Sequence, residues 1–128
     1  MPEPASSKIQ KALSRGGTID ITTTGRKTGE PRRIEIVFHN VGGRIFISGI
    51  PSKRQRAWLG NLEKSPRFTF HLKGATHADL PATARVISDE AERREILPAI
   101  ATNWRRNDLE VMVQYSPLIE VTLDDLAA

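Results

Sequence analysis

A short turn between two alternating segments constrains the fold of this chain more than any other stretch. Ile19-Asp20-Ile21 precedes the turn and Ile34–Phe38 follows it. The turn itself, Gly25–Gly29, begins and ends with glycine. Apolar–polar alternation on both sides of a glycine-punctuated turn predicts a β-hairpin. A second turn at 40–43 and a third alternating segment at 44–48 extend the hairpin into an antiparallel meander.

The same period-two pattern returns later in the chain, interrupted by segments with helical spacing. Helices are expected over about 52–64, 89–104 and 108–115. Residues 1–17 are expected to form a flexible lead-in or a short helix, and residues 18–128 a single domain. The fold class is therefore mainly β with helices (α+β), a small antiparallel barrel with C-terminal helices. Its six strands are predicted at 18–24, 32–38, 44–48, 67–73, 80–87 and 118–123.

Three local signals predict how these elements begin and where they lie. Ser52 and Gln55 have capping-box spacing, which predicts that a helix starts directly after Ser52. Ser88 precedes Asp89-Glu90 and is predicted to cap the next helix. Pro81 cannot donate a backbone hydrogen bond, so its strand is expected at a sheet edge or beside a bulge.

Composition excludes several classes of protein. The 128 residues contain no run of about 18 apolar residues, so no integral membrane segment is expected. The first seven residues lack the apolar core of a signal peptide. There is no cysteine, which excludes disulfides and thiolate chemistry. A cytoplasmic location is the expectation that follows.

Positive charge is concentrated in the first part of the chain. Residues 1–77 hold 14 Lys and Arg against 5 Asp and Glu, a net charge of +9, whereas residues 78–128 have a net charge of −5. Four of these cations, on and after the hairpin turn, would repel one another, which indicates an anionic partner. Nucleic acid is a weak candidate because aromatic residues, which stack on bases, make up only 5% of the chain. The four hairpin cations are Arg26, Lys27, Arg32 and Arg33.

A second group of cations lies at the predicted start of the helix over 52–64. A helix N-terminus has free N–H groups and a positive dipole end, which disfavour cations but attract anions. Three cations in that position therefore predict a second anion-binding element. They are Lys53, Arg54 and Arg56.

The residues do not support catalysis by a metal ion or by a nucleophilic side chain. The only histidines are His39, His71 and His77, and none has a second ligand at metal-binding spacing. His71 is predicted to be a surface residue on the outer face of its strand. No Gly-x-Ser-x-Gly sequence is present. What remains is an anion-binding barrel in which a cofactor can carry the reaction.

Two separated motifs resemble the deazaflavin-dependent nitroreductase family. One is Thr22-Thr23-Thr24-Gly25-Arg26-Lys27-Thr28-Gly29, and the other is Trp58-x-x-Asn61-Leu62, about thirty residues further on. The resemblance extends from about Ile19 to Leu123. It implies a split β-barrel that binds coenzyme F420, an 8-hydroxy-5-deazaflavin with a phosphate and a polyglutamate tail. Such a reductase transfers hydride to a quinone-like, enone or nitro acceptor.

The resemblance also implies which residues bind the cofactor. The phosphate and tail would be held by Arg26, Lys27, Thr28 and Arg32. The deazaflavin ring would lie beside Ser48, Gly49 and Trp58, and by the charge argument above the site extends to Lys53, Arg54 and Arg56. Trp104 and Tyr115 are the candidates for substrate contact, while no catalytic residue can be assigned. Split barrels commonly pair, so a homodimer is possible from this resemblance.

Two departures from the family pattern leave alternatives open. Many members carry a lysine directly after the residue equivalent to Ser48, where this chain has Gly49. Members that reduce nitroimidazoles have several tyrosines near the C-terminal helices, where this chain offers only Trp104 and Tyr115. One alternative is a non-catalytic protein that binds a lipid, a fatty acid or another small anion. Another is a split barrel that binds FMN, whose single phosphate would leave one basic cluster without a partner.

Overall fold

A computed structural model describes residues 5–53 and 56–124, and its first strands form the predicted meander. Strand β1 (Gly17–Thr24) pairs with β2 (Pro31–Val41), and β2 pairs with β3 (Arg44–Ser48), each antiparallel. Across β1 and β2, Ile21 faces Ile34 and Thr23 faces Arg32. Because side chains alternate between the two faces of a strand, this register fixes which hairpin residues point the same way.

Three further strands close the sheet into a barrel. They are β4 (Arg67–Leu72), β5 (Ala78–Val86) and β6 (Leu118–Leu123). The strand order around the barrel is β1-β2-β3-β6-β5-β4, and β4 pairs back onto β1. The prediction of six mostly antiparallel strands is confirmed.

The predicted edge position of Pro81 is wrong. Strand β5 has a neighbour on each side, with Pro81 opposite Thr69 of β4. The β5–β6 ladder starts one residue further on, at Ala82 and Leu123, and the Pro81 carbonyl accepts a bond from the Asp124 N–H at 3.0 Å. The proline has no N–H to return a bond to Asp124, so the β5–β6 ladder ends there.

Within residues 5–53 and 56–124, four helices accompany the barrel. They are α1 (Ala5–Arg15), α2 (Ala57–Lys64), α3 (Glu90–Asn103) and α4 (Leu109–Tyr115). The described part of the N-terminal segment is thus helical, and α1 places Leu13 in the barrel core with 4% of its surface exposed. In the residues that the structure covers, no helix is long and apolar enough to cross a membrane.

The core has two parts, on either side of β3. Ile45 and Ile47 point into the barrel, whose interior also contains Phe70, and Trp58 of α2 packs on that cluster. Phe46, between the two isoleucines, points outward and is covered by α3 and α4. Because its side chains alternate between the two faces, β3 contributes to both parts of the core and joins the barrel to the helical layer.

Helix α2 starts later than the capping-box pattern predicted. It begins at Ala57 and not directly after Ser52, so Ser52 is not its N-cap, while Gln55 lies outside the described residues. The Ser52 N–H is instead bonded to the carbonyl oxygen of Tyr115 at 3.1 Å, which holds this segment against the end of α4. Arg56 occupies the N-cap position with an extended backbone and no side-chain cap.

Two other local predictions also need correction. Helix α3 is capped by Asp89 rather than Ser88, since the Asp89 carboxylate accepts the Glu92 N–H at 3.0 Å. His71 does lie on the outer face of β4, but it is only 8% exposed. Its ring bonds Thr22 Oγ1 and Asp79 Oδ1, both at 2.6 Å, across the two neighbouring strands. Barrel closure brings those strands to both sides of His71 and covers it.

Candidate functional site

The tip of the first hairpin is held rigid by its own backbone. The Gly25 N–H bonds the Glu30 carbonyl at 2.8 Å, and the Gly29 N–H bonds the Gly25 carbonyl at 2.8 Å. Thr28 Oγ1 accepts the Glu30 N–H at 3.2 Å. Gly29 has a φ of +73°, in the left-handed region that favours glycine. The cations of the turn therefore project from a fixed backbone.

Asn61 of α2 fastens the hairpin to the helix. Its Oδ1 accepts the Arg26 N–H at 3.0 Å, and its Nδ2 donates to Thr23 Oγ1 at 3.0 Å. Asn61 is 5% exposed, so both amide groups are paired in a buried setting, where an unpaired polar group would cost about 1–3 kcal/mol. Lys64 Nζ adds a bond to the Arg26 carbonyl at 2.8 Å. The two halves of the family motif are thus in direct contact.

Gly60 allows the side chain of Arg26 to pass close to α2. A Cβ at this position would lie 2.9 Å from Arg26 Nη1, a distance that side-chain carbons do not tolerate. From there Arg26 Nη1 donates to the Ala57 carbonyl at 3.3 Å. The Arg26 guanidinium is therefore held over the first turn of the helix.

These elements enclose a basic cavity of about 620 Å³ between the hairpin and α2, called the tail cavity below. Four cations line it, and none of its lining residues carries a carboxylate. Phosphate and carboxylate groups are bound by such sets of charge-assisted donors. The residues present therefore fit a polyanionic group. The lining consists of Thr23, Gly25, Arg26, Lys27, Thr28, Arg32, Ile34, Arg56, Ala57, Trp58 and Asn61.

The register of β1 and β2 separates the hairpin cations, which the sequence grouped together. Arg32 lies opposite Thr23 and lines the tail cavity. Arg33 points to the outer face, where its Nε bonds Asp20 Oδ2 at 3.0 Å. Arg33 is therefore a surface ion-pair residue and does not line this cavity.

A smaller cavity of about 370 Å³ adjoins the tail cavity and is called the ring cavity below. The two share Ile34, Arg56 and Trp58 in their walls. Apolar and aromatic side chains dominate the ring cavity, as expected for a planar organic group. It is lined by Ile34, Glu35, Ile36, Val37, Ser48, Gly49, Ile50, Arg56, Trp58 and Trp104.

Ser48 and Trp58 face the ring cavity but also have structural roles. Ser48 is 1% exposed, and its hydroxyl donates to the Pro117 carbonyl at 2.7 Å, which ties the end of β3 to the segment before β6. Trp58 is 7% exposed and belongs to the barrel core. Both side chains therefore present a fixed surface to the cavity.

The ring of His39 packs against the ring of Trp104, a contact that the sequence did not predict. The two rings meet edge to face with centroids 4.7 Å apart. His39 is 4% exposed, and its Nε2 has no hydrogen-bond partner in the part of the chain that the structure covers. Burial lowers the pKa of His39 from 6.5 to about 4, so the ring is neutral at physiological pH. Only the register of β2 against the helical layer brings these residues together.

Lys53 and Tyr115, both predicted to lie in the site, line a third cavity of about 610 Å³ beside the other two. Lys53 Nζ lies 5.9 Å from the centre of the Tyr115 ring. Tyr115 therefore does not share a wall with Trp104, the other candidate for substrate contact. Arg54, which the sequence also placed in the site, lies outside the described residues.

The barrel resembles several solved structures, which show its fold. A conserved hypothetical protein from Mycobacterium tuberculosis superposes with a TM-score of 0.72 at 16% identity, covering 97% of this chain and 81% of that one. The heme storage protein HutZ from Vibrio cholerae gives 0.69 at 14% identity, with coverage of 95% and 92%. An F420-H2 dependent reductase, FDR-A, gives 0.59 at 20% identity, with coverage of 83% and 94%. These structures place the chain among the small β-barrel proteins.

A family model for F420H2-dependent quinone reductases matches residues 4–118. The chain belongs to the F420H2-dependent quinone reductase family. The resemblance found in the two sequence motifs is thereby confirmed, and the protein is an F420-dependent reductase whose cofactor is coenzyme F420. The four cations of the tail cavity fit this assignment, since the F420 tail carries a phosphate and several carboxylates.

Proposed function

We propose that this reductase transfers hydride from F420H2 to a small, planar, quinone-like acceptor in the ring cavity. The observation that carries the proposal is the pair of adjoining cavities, one basic and one aromatic, which share Arg56 and Trp58. Bound F420H2 supplies the hydride. Reduction of the acceptor would consume that hydride and one proton, and oxidation of F420H2 would release one proton, so the overall reaction balances.

The chain's own contribution is binding and orientation. Arg26, Lys27 and Arg32 neutralise the phosphate and glutamate tail in the tail cavity. Trp58 and Trp104 provide flat apolar surfaces against which a conjugated ring can stack. Hydride transfer depends on the distance and alignment of two bound groups, which rigid walls provide without an acid–base pair.

The ring cavity also suits an acceptor that carries carbonyl oxygens. Glu35 lies in its wall and is ion-paired with Lys73, so it contributes little net charge. Arg56 is the remaining charged group among the lining residues. Quinones and enones carry carbonyl oxygens that can accept hydrogen bonds from such a donor.

The decisive experiment is a fluorescence titration of the purified protein with F420 and, in parallel, with FMN. Tighter binding of F420 is expected, because the single phosphate of FMN leaves part of the basic wall unpaired. Anaerobic oxidation of F420H2 is then followed with a quinone, an enone and a nitroaromatic compound. The proposal fails if F420 binds and none of these acceptors is reduced, and a binding protein would then be the better description.

A further inference from the structure

The guanidinium of Arg56 lies where a side chain at position 49 would otherwise be. A Cβ on Gly49 would lie 3.2 Å from Arg56 Cζ and 3.4 Å from Arg56 Nε. Arg56 Nη2 is held there by a bond to the Ile50 carbonyl at 2.7 Å. The cation therefore reaches the end of β3 from the start of α2.

The other side of Gly49 is closed as well. The same Cβ would lie 3.0 Å from Pro117 Cγ, and the Pro117 carbonyl is fixed by the hydroxyl of Ser48. A Cβ at position 49 therefore requires Arg56, Pro117 or both to shift by a few tenths of an ångström. Gly49 and Arg56 act as one unit, in which the glycine leaves room for the cation.

The backbone of Arg56 is anchored independently of its side chain. Its carbonyl accepts the N–H groups of Leu59 at 3.1 Å and Gly60 at 3.2 Å, so it forms the first turn of α2. The side chain extends from this anchor along the boundary between the tail cavity and the ring cavity. No carboxylate in residues 5–53 or 56–124 lies within ion-pair distance of it, so its charge remains available to a ligand.

We propose that Arg56 is a positioning residue for the deazaflavin ring system, while the hairpin cations bind the tail. This inference rests on the proposed function. The ring system carries carbonyl and hydroxyl oxygens along its edges, and a guanidinium bonds such oxygens with defined geometry. Among the described residues, Arg56 is the cation in the wall of the ring cavity, whereas Arg26, Lys27 and Arg32 line the tail cavity.

The test compares two ligands, full F420 and the 8-hydroxy-5-deazaflavin nucleoside that lacks phosphate and glutamates. Their dissociation constants are measured by fluorescence titration, without turnover. Arg56→Ala is expected to weaken both ligands by about tenfold, the loss of one charge-assisted bond. Lys27→Ala, the matched control, is expected to weaken full F420 by a similar factor and to leave the nucleoside unchanged.

A double-mutant cycle tests whether Gly49 and Arg56 act together. Gly49→Ala is expected to weaken both ligands by less than Arg56→Ala does, because it shifts the guanidinium only slightly, and this effect should disappear when Arg56→Ala is already present. The double variant Gly49→Lys/Arg56→Ala supplies a cation from position 49 instead of position 56, and part of the affinity should be restored. Melting temperatures are recorded for each variant. If crowding against Pro117 prevents the position 49 variants from folding, the Arg56→Ala titrations decide alone.

Two results would overturn the inference. If Arg56→Ala protein binds both ligands as tightly as the parent does, Arg56 does not position the ring system. A loss confined to full F420 would assign Arg56 to the tail. If the parent protein binds neither ligand, the proposed function fails and this inference fails with it. That result is seen before any substitution is made, so it can be told apart from a failure of the inference alone.

Discussion

Two sets of cations on this barrel differ in whether a carboxylate accompanies them. On β3 and β5, Arg44 and Arg85 each bond Glu120 at 2.8 Å, and Arg85 also bonds Glu92 at 2.7 Å. Around the tail cavity and the ring cavity, no carboxylate in the described ranges lies within ion-pair distance of the lining cations. These are Arg26, Lys27, Arg32 and Arg56.

This contrast separates folding from binding. A cation balanced by a neighbouring carboxylate contributes to the stability of the fold. Cations grouped without such partners repel one another, and an arriving anion relieves that repulsion. Substitutions in the first set should therefore change the free energy of unfolding, and substitutions in the second should change ligand affinity.

The largest effect is expected at a residue that contributes both to the core and to the two cavities. Trp58 lines both ligand cavities and is also buried in the barrel core. Trp58→Ala should lower the free energy of unfolding by about 3–5 kcal/mol, the range for truncating a buried tryptophan. Urea denaturation measures the loss, with Trp58→Phe as a milder control. A fully stable Trp58→Ala protein that no longer binds F420 would make this residue chiefly a ligand contact.

A buried histidine with no charge partner should make stability depend on pH. The pKa of His39 is about 4 in the folded protein against 6.5 for an unburied histidine, so the unfolded chain takes up its proton first. Stability should therefore fall as the pH is lowered from 6.5 towards 4, by about 3 kcal/mol from this group.

Denaturation curves across this pH range should show that loss in the parent protein. His39→Phe keeps an aromatic ring beside Trp104 but cannot be protonated. The parent and the variant should therefore diverge in pH dependence below pH 6.5. Parallel curves for the two proteins would show that His39 does not govern the acid response.

The hairpin cations should affect binding without affecting the fold. Lys27→Ala and Arg32→Ala are each expected to raise the dissociation constant of F420 about tenfold or more, with an unchanged melting temperature. Arg33→Ala is the matched control, since Arg33 is adjacent in sequence but paired with Asp20 on the outer face. If both cavity variants are folded and bind F420 as tightly as the parent, the basic hairpin does not hold the tail.

The smallest effect is expected in the paired set. Glu120→Gln removes the carboxylate shared by Arg44 and Arg85 and should cost about 1 kcal/mol of stability at neutral pH. The arginines, Arg44 foremost, lower the pKa of Glu120 to about 2, so its contribution is present above pH 4.5 and is lost as the pH falls towards 2. F420 affinity should be unchanged, and a tenfold change would show that the two sets are not separate.

Local patterns predicted most of the strands and the basic hairpin. Period-two alternation placed β1 to β4 within a few residues, because a strand with one buried face must alternate. The two motifs indicated the family, but only the structure shows that Asn61 of the second motif bonds the hairpin of the first.

The errors arose where distant parts of the chain meet. Pairing of β5 with both β4 and β6 removed the edge expected for Pro81, and pairing of β4 with β1 and β5 covered His71. The Tyr115 carbonyl binds the N–H of Ser52, and α2 begins only at Ala57. The separation of Arg33 from the cavity depends on strand register, which adjacency in sequence cannot reveal.

The bond between Arg26 and Asn61 joins residues 35 positions apart, so the tail cavity has both walls only in the folded chain. A ligand that binds only the native state raises the free energy of unfolding by RT ln(1 + [L]/Kd), about 2.7 kcal/mol when its concentration is a hundred times Kd. The abundance of F420 in a cell would thus set how often this protein unfolds. When the cofactor is scarce, we expect faster proteolytic turnover of the protein.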